Sequence, residues 1–152
     1  MTFSGTLFVV LIRLLKPKDI PAAAAIIRQN YSERYARLAA TELQEMFGKA
    51  AIKPFYFVAV DDGKIVGLVG CMQSWMDYDV FTIFWVNVAP RRQQQGIGRM
   101  LVRKALAALR KNQALVVLLT TSSPAYYRRH FGFRTVTRFK QNTHHLMAHS
   151  FE

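Results

Sequence analysis

Residues 90–100 read PRRQQQGIGRM, and this short stretch places two glycines among three arginines just ahead of a helical pattern. Gly96 and Gly98 have no Cβ, so a positive φ costs little there and a ligand can approach the backbone to hydrogen-bonding distance. Unpaired amide hydrogens at the start of a helix attract an anion, and the arginines add positive charge around the same point. The stretch therefore predicts a phosphate-binding loop between a strand and a helix.

Two common nucleotide-binding loops do not match this stretch. A mononucleotide loop of the GxxxxGK[ST] type needs a lysine and a hydroxyl after its last glycine, where Arg99 and Met100 stand. The dinucleotide pattern GxGxxG needs a third glycine where Leu101 stands, and an acidic residue about 20 positions further on. That region has no acidic residue. The sequence therefore disfavours ATP and NAD as ligands.

Composition and charge set the class of protein. The chain has 152 residues, of which 51% are hydrophobic, so we expect one domain over residues 1–152 with a substantial core. Lysine and arginine number 21 against 9 acids, a formal net charge of +12, and no carboxylate lies between Asp79 and Glu152. Such a surface attracts polyphosphates, nucleic acids or acidic lipids. Charge alone does not choose among these partners.

Several features indicate a soluble cytoplasmic protein without a metal. Cys71 is the single cysteine, so no intramolecular disulfide forms. The apolar run at 6–12 lacks a preceding cation and a cleavage site, and Arg13 ends it too early to span a bilayer. His144 and His145 are consecutive, so on a strand they face opposite ways and cannot bind one metal ion. We therefore predict no membrane contact and no metal site.

The hydrophobic pattern predicts the element order βααβββαβαββ, an α+β fold whose mixed, mostly antiparallel central sheet is flanked by helices. An Asp-Gly pair at 62–63 favours a hairpin between two of the strands. The predicted strands cover 7–14, 55–60, 64–75, 80–88, 115–120, 133–139 and 144–149, and the predicted helices cover 21–30, 32–47, 98–109 and 124–130.

Four local expectations accompany this order. Asp19 is predicted to cap the first helix. Leu38 and Met100 fall at helical spacing with other apolar residues, so each is expected on a buried helix face. The run at 115–120 is apolar without alternation, which is typical of a strand covered on both faces.

With these elements in place, the chain resembles the GNAT superfamily of acyl-CoA N-acyltransferases. QQQGIG at 93–98 looks like the [RQ]xxGxG motif of that superfamily, and VAP at 88–90 is similar to the valine and proline that lead into it. MLVRKALAAL at 100–109 looks like the core helix that follows the motif. YYRRHFGF at 126–133 resembles the family's tyrosine-containing helix, which a Gly-Phe pair closes.

The resemblance implies that acetyl-CoA is the cofactor. Its pyrophosphate would lie on the amides of Gln94 to Arg99, with Gln93 beside it. Its pantetheine arm would run along Val88 and the two residues before it, in a gap beside the strand at 115–120. The N–H of Val88, or of a near neighbour, would stabilise the oxyanion of the tetrahedral intermediate. The implied cofactor-binding residues are Val86, Asn87, Val88, Gln93, Gln94, Gln95, Gly96, Ile97, Gly98 and Arg99.

The proton-transfer groups are less well defined. An alkylammonium with a pKa near 10.4 is about one part in a thousand neutral at pH 7, so its proton must be removed, either by a base or along a path of water and backbone carbonyls, helped by nearby positive charge that lowers the pKa of the amine. The family's strand carboxylate would fall near Val80, which cannot accept a proton, and the adjacent Asp79 is a candidate base that also fits an exposed turn. Tyr127 is the candidate acid for the leaving thiolate, with Tyr126 as its alternative, because Arg128 occupies the usual place four residues before the glycine.

The sequence thus favours an acetyl-CoA-dependent N-acetyltransferase that works by direct attack in a ternary complex. Its acceptor would be a primary amine on a small amine, an amino acid or a protein N-terminus. A nucleic-acid-binding module is the second hypothesis, although the basic residues are scattered and no RNP aromatic signature is present. A coenzyme A-binding protein that has lost catalysis is the third. The oligomeric state is left open, with a homodimer as one option.

Overall fold

A computed structural model describes residues 9–151, which form one mixed sheet of seven strands with four α-helices. The predicted element order and the α+β fold class are confirmed. The strands are β1 (Leu11–Leu14), β2 (Phe55–Asp61), β3 (Lys64–Gln73), β4 (Val80–Val88), β5 (Val116–Thr121), β6 (Arg134–Arg138) and β7 (His145–Ser150). The helices are α1 (Ile20–Asn30), α2 (Glu33–Glu45), α3 (Ile97–Lys111) and α4 (Pro124–Phe131). Residues 7 and 8 of the predicted first strand lie outside the described residues.

The sheet has the spatial order β1-β2-β3-β4-β5-β7-β6. Neighbouring strands are antiparallel, except that β4 and β5 are parallel. A parallel pair needs a crossover, and α3 supplies it. The β2–β3 hairpin turns through Asp62 (φ 49°) and Gly63 (φ 72°), as the Asp-Gly pair predicted, because a type I′ turn requires positive φ at both central residues.

Helices cover the two faces of the sheet and create two cores. The α3 core packs α3 and α4 against one face and includes fully buried Leu101 and Val117. The α1–α2 core packs the first two helices against the other face and includes fully buried Leu43 and Leu68. No helix within residues 9–151 combines the length and the apolar character that crossing a bilayer demands.

Local packing corrects the four local expectations, beginning with Asp19. This residue precedes α1, but its carboxylate makes no cap hydrogen bond. It accepts instead from the Arg13 guanidinium at 2.6 and 3.0 Å and from the Lys16 N–H at 2.8 Å. Leu38 and Met100 are 47% and 40% exposed, whereas the smaller residues Ala36 and Ala105 of the same helices are buried.

The prediction that the strand at 115–120 is covered on both faces is wrong. In β5, Val117 and Leu119 are buried in the α3 core, whereas Val116 and Leu118 are only half-buried. The reason is that the α1–α2 core reaches β2, β3 and β4 but includes no described residue of β5. One face of β5 is therefore left partly open beside β4.

Candidate active site

The parallel strands β4 and β5 are paired only at their starts. Residues 80–82 of β4 pair with residues 116–118 of β5, and beyond them the two strands diverge. The pairing of β4 with β3 shifts by one residue at the same level, and there Trp85 has a φ of 49°. A bulge of this kind bends its strand and increases the local twist. The bulge in β4 therefore opens a gap between the two central strands.

The bulge also changes the alternation of side chains. Ile83 before the bulge and Val86 after it both pack toward the α3 core. The adjacent residues Phe84 and Trp85 both pack toward the α1–α2 core. Two neighbouring side chains on one face are the direct result of the extra residue, since a regular strand alternates strictly.

Past the bulge, β4 turns backbone groups toward a groove instead of toward β3. The N–H of Ala89 donates to the carbonyl of Val66 at 2.9 Å, which makes Val88 and Gly67 a non-hydrogen-bonded pair. The N–H and the carbonyl of Val88 therefore point away from β3. The groove has a volume of ≈ 990 Å³ and is lined by residues 29–31, 86–88, 90, 92–94, 96–99 and 126.

Side-chain amides hold this edge of β4 to the end of α1. The Val88 carbonyl accepts a hydrogen bond from the Asn30 amide at 3.0 Å and another from the Gln93 amide at 3.1 Å. Asn30 also donates to the side-chain oxygen of buried Asn87 at 3.0 Å. The Gln93 side chain therefore braces the loop and the strand. Sequence reasoning missed Asn30, because 57 residues separate it from Asn87 and no local pattern marks the contact.

The glycine loop at the end of the groove has a positive φ at Gly96, where the sequence allowed one, but not at Gly98, which lies in the first turn of α3. Gln94 has a φ of 62° and Gly96 a φ of 84°, and α3 begins at Ile97 without a side-chain cap and without an acidic residue in its first turn. The amides of the first turn are therefore not covered by a capping side chain, and an anion is their natural partner. A Cβ added at Gly96 would meet no atom within 4 Å. The loop thus leaves open space beside the groove.

Positive charge around this loop is itself held in place. The Arg92 guanidinium pairs with Asp61 at 2.7 Å and donates to the Gln95 side-chain oxygen at 3.0 Å. Arg99 contacts the His130 ring nitrogen Nε2 at 3.3 Å. Desolvation, and then the charge of Arg99 and its neighbours, lowers the pKa of His130. A neutral imidazole accepts a hydrogen bond from the Arg99 guanidinium, so His130 helps to orient that charge.

The two candidate tyrosines border different spaces. Tyr126 lines the groove, and its hydroxyl lies 3.9 Å from the position of a Cβ at Gly98. Tyr127 is 8% exposed and borders the gap between β4 and β5. Burial is the main cause that raises the pKa of Tyr127 to about 12, so its phenol stays protonated at neutral pH. Tyr126 thus lies beside the glycine loop, and Tyr127 lies beside the gap.

The gap has a volume of ≈ 170 Å³ and adjoins the groove along β4. Residues 86–87 and Tyr31 line both spaces. His144 lines the gap as well, and its buried Nδ1 has no hydrogen-bond partner in the described part of the chain. No sequence pattern predicted His144 at this place, because its position beside the gap depends on the order of the strands in the sheet.

Asp79 lies in the exposed turn before β4, at the opposite end of the strand from Val88. Its N–H donates to the Asp77 side chain at 2.8 Å, and its carbonyl accepts from the Leu115 N–H at 2.9 Å. It lines neither the groove nor the gap. The geometry gives Asp79 no support as a base. Within residues 9–151, no cluster of three or more histidine, cysteine or acidic side chains is placed to hold a metal ion.

Comparison with known proteins agrees with this geometry. The model of the acetyltransferase (GNAT) family matches residues 20–133. A protein from Desulfovibrio desulfuricans that is assigned to the GNAT family as an acetyltransferase has a TM-score of 0.83 at 18% identity. The match covers 93% of this chain and 99% of that one. The Escherichia coli GNAT N-acetyltransferase YhbS, in complex with CoA, has a TM-score of 0.78 at 23% identity, covering 99% and 86%.

A GNAT acetyltransferase from Brucella melitensis, in complex with acetyl-CoA, has a TM-score of 0.74 at 23% identity, covering 95% of this chain and 90% of that one. At these identities the solved structures show a shared fold. No curated protein matches the sequence.

Proposed function

The chain belongs to the GNAT acetyltransferase family, and from that premise we propose that it transfers an acetyl group from acetyl-CoA to a primary amine by direct attack in a ternary complex. The observation that carries this proposal is the continuous space along the free edge of β4. A groove that ends at uncapped helix amides leads into a gap that a protonated tyrosine borders. These are the places that a diphosphate and a thioester require.

The positive charge and the uncapped amides of the groove suit the negative charge of coenzyme A. Family members use acetyl-CoA, which confirms the cofactor prediction at the level of the family. The cofactor supplies a thioester-activated acetyl group. The amides of residues 94–99 would bind its diphosphate, and Arg99 would add a charge that His130 orients. The Val88 carbonyl already accepts hydrogen bonds from Asn30 and Gln93, so the remaining backbone groups of residues 86–88 would pair with the pantetheine amides.

Two groups are proposed to act on the reacting atoms. The N–H of Val88 points away from β3 and would donate to the acetyl oxygen as negative charge develops there. Tyr127 would protonate the sulfur as the carbon–sulfur bond breaks and the carbon–nitrogen bond forms, while the nitrogen of the amine would lose its proton along a path of water and backbone carbonyls. Its position at the gap, compared with that of Tyr126 beside Gly98, supports Tyr127 over the alternative.

A thermal shift and a thiol-release assay test the proposal together. Acetyl-CoA at low micromolar concentration is expected to raise the Tm, whereas NAD and ATP are not. Free thiol is then expected in the presence of an accepted amine, drawn from a panel of amines, amino acids and peptides. A raised Tm without turnover on any amine would favour a protein that binds coenzyme A without catalysis. Salt-dependent retention on RNA without any effect of acetyl-CoA would favour the nucleic-acid-binding module.

A further inference from the structure

A second cavity lies on the α1–α2 face of the sheet, directly behind the gap. It has a volume of ≈ 420 Å³ and lies between the end of α2 and strands β2, β3 and β4. We call it the α2 cavity, and it is lined by Glu42, Glu45, Pro54, Tyr56, Met72, Thr82, Phe84 and Trp85. Phe84 and Trp85 line the gap as well. The α2 cavity and the gap therefore meet at these two side chains.

The α2 cavity carries negative charge in a strongly basic protein. The chain has 9 acidic residues against 21 basic ones, yet two of the acids, Glu42 and Glu45, line this one cavity. Neither has an ion-pair partner within residues 9–151, although other acids such as Asp19 and Asp61 do. Glu42 accepts a hydrogen bond from the indole N–H of Trp85. A carboxylate has about four lone-pair sites, so Glu42 retains capacity for a further donor.

Tyr56 provides an independent sign that the α2 cavity receives a polar group. Its side chain lines the cavity and is 0% exposed, and its hydroxyl has no hydrogen-bond partner within the described residues. Burial, followed by the charge of Glu42, raises the pKa of Tyr56, which places the phenol in the field of that carboxylate. A buried hydroxyl without a partner costs free energy that a bound donor would recover.

The rest of the wall is aromatic and apolar. The rings of Tyr56 and Phe84 meet edge to face, with centroids 5.8 Å apart and an interplanar angle of 90°. They close over Gly70, where an added Cβ would lie 2.7 and 2.6 Å from the two rings. Glycine at this position is therefore required for the rings to meet. Aromatic faces attract a cation, and flat apolar walls bind an apolar body.

We propose that the α2 cavity binds the acceptor, a primary alkylammonium on a compact aromatic body, with Glu42 and Glu45 holding the ammonium beside Trp85. This inference rests on the proposed function and narrows its acceptor class. A zwitterionic amino acid would bring its carboxylate against two glutamates. A linear diamine would cover less of the aromatic wall than an aryl group does. The favoured acceptor is therefore an arylalkylamine rather than an amino acid or a polyamine.

The tryptophan of the cavity wall allows a binding test without acetyl-CoA. The chain has two tryptophans, and Trp75 is 74% exposed, so Trp75→Phe leaves Trp85 as the single reporter. In that background, 2-phenylethylamine is expected to change the Trp85 fluorescence with saturation. Phenylalanine and putrescine are expected to bind at least about tenfold more weakly, since phenylalanine adds a carboxylate that the two glutamates repel and putrescine lacks the aromatic ring.

Charge removal gives the matched comparison. Glu42→Gln keeps an oxygen that accepts from the Trp85 indole, and it is expected to weaken 2-phenylethylamine binding by about 10- to 100-fold, the usual effect of losing one charged partner. Glu45→Gln is expected to weaken it in the same direction. Asp62→Asn removes one carboxylate at the β2–β3 turn, away from the cavity, and should bind the amine as the parent does. Equal binding by the Glu42 and Asp62 variants, or preference for putrescine, would overturn the inference.

Acetyl-CoA separates this inference from the function on which it rests. Stabilisation of the Glu42→Gln variant by acetyl-CoA, equal to that of the parent, would show that the variant is folded and that the groove is intact. Loss of amine binding in that folded variant supports the α2 cavity. If acetyl-CoA stabilises neither protein, the acetyltransferase proposal fails, while the fluorescence titration still reports on the cavity.

Discussion

Replacement of Gly96 by asparagine should remove cofactor binding at little expense to the fold. Gly96 has a φ of 84° and no atom within 4 Å of a Cβ position, so the new side chain meets open space and no clash. Asparagine adopts positive φ more readily than most residues, and we expect a loss of unfolding free energy of about 1 kcal/mol or less. The side chain would stand where the diphosphate must approach the amides.

The magnitude follows from mass action. At 100 times its Kd, acetyl-CoA adds about 2.7 kcal/mol to the unfolding free energy. In a chain of this size that gain raises the Tm by about 5 to 11 °C. A variant that binds 100-fold more weakly would gain about 0.4 kcal/mol at the same concentration, which is a shift of about 1 °C.

Gly63→Asn is the matched control for this experiment. Gly63 has a φ of 72° and also has no atom within 4 Å of a Cβ position, but it lies in the β2–β3 turn and not in the groove. Both variants should lose similar stability without ligand. Only the control should keep the full shift with acetyl-CoA, measured by differential scanning fluorimetry. A full shift in the Gly96 variant would refute the reasoning that its loop binds the diphosphate.

Three further predictions concern single side chains. Tyr127→Phe should lower kcat by about 10²- to 10⁴-fold with little change in the KM for acetyl-CoA, whereas Tyr126→Phe should not, and equal loss in both would remove the distinction between them. Asp19→Asn should lower the unfolding free energy in urea at pH 7 by about 1 to 3 kcal/mol, because Asp19 is 5% exposed and paired with Arg13. The hydrogen bond from Arg13 lowers the pKa of Asp19, so this contribution is present above the unfolded pKa and lost as pH falls, and the variant should show a weaker loss in acid. Burial raises the pKa of Cys71 to about 12. The contribution of this thiol to the unfolding free energy is therefore full below the pKa of the unfolded thiol and is lost as pH rises through about 12. At pH 8 a thiol reagent should label Cys71 only as fast as the protein opens.

Local signals explain what the sequence predicted well. The glycine loop, the Asp-Gly hairpin and the long helix after the loop each depend on residues that are neighbours in the chain, and all three formed as expected. The sequence predicted less well which face of a helix is buried. Met100 is exposed because tertiary packing, and not periodicity alone, selects which side of α3 meets the sheet.

Distant contacts explain what sequence reasoning missed. Asn30, Glu42 and His144 come to the site from a helix end, a second helix and a late loop, and nothing next to them in the chain marks a shared location. The bulge was also invisible, since the positive φ belongs to Trp85 and not to a glycine. A tryptophan in that conformation is held by its surroundings, including the hydrogen bond to Glu42.

One extra residue in β4 decides on which face of the sheet each later side chain of that strand lies. Without Trp85, β4 would be able to pair with β5 along its whole length. Asn87 would then turn toward α3 and Val88 toward α1. The Asn87 amide would enter the apolar α3 core, and the backbone groups that now face the groove would be lost from it. The gap between the central strands therefore depends on the number of residues in β4. A substitution keeps that number, so it would not reproduce the effect of the deletion.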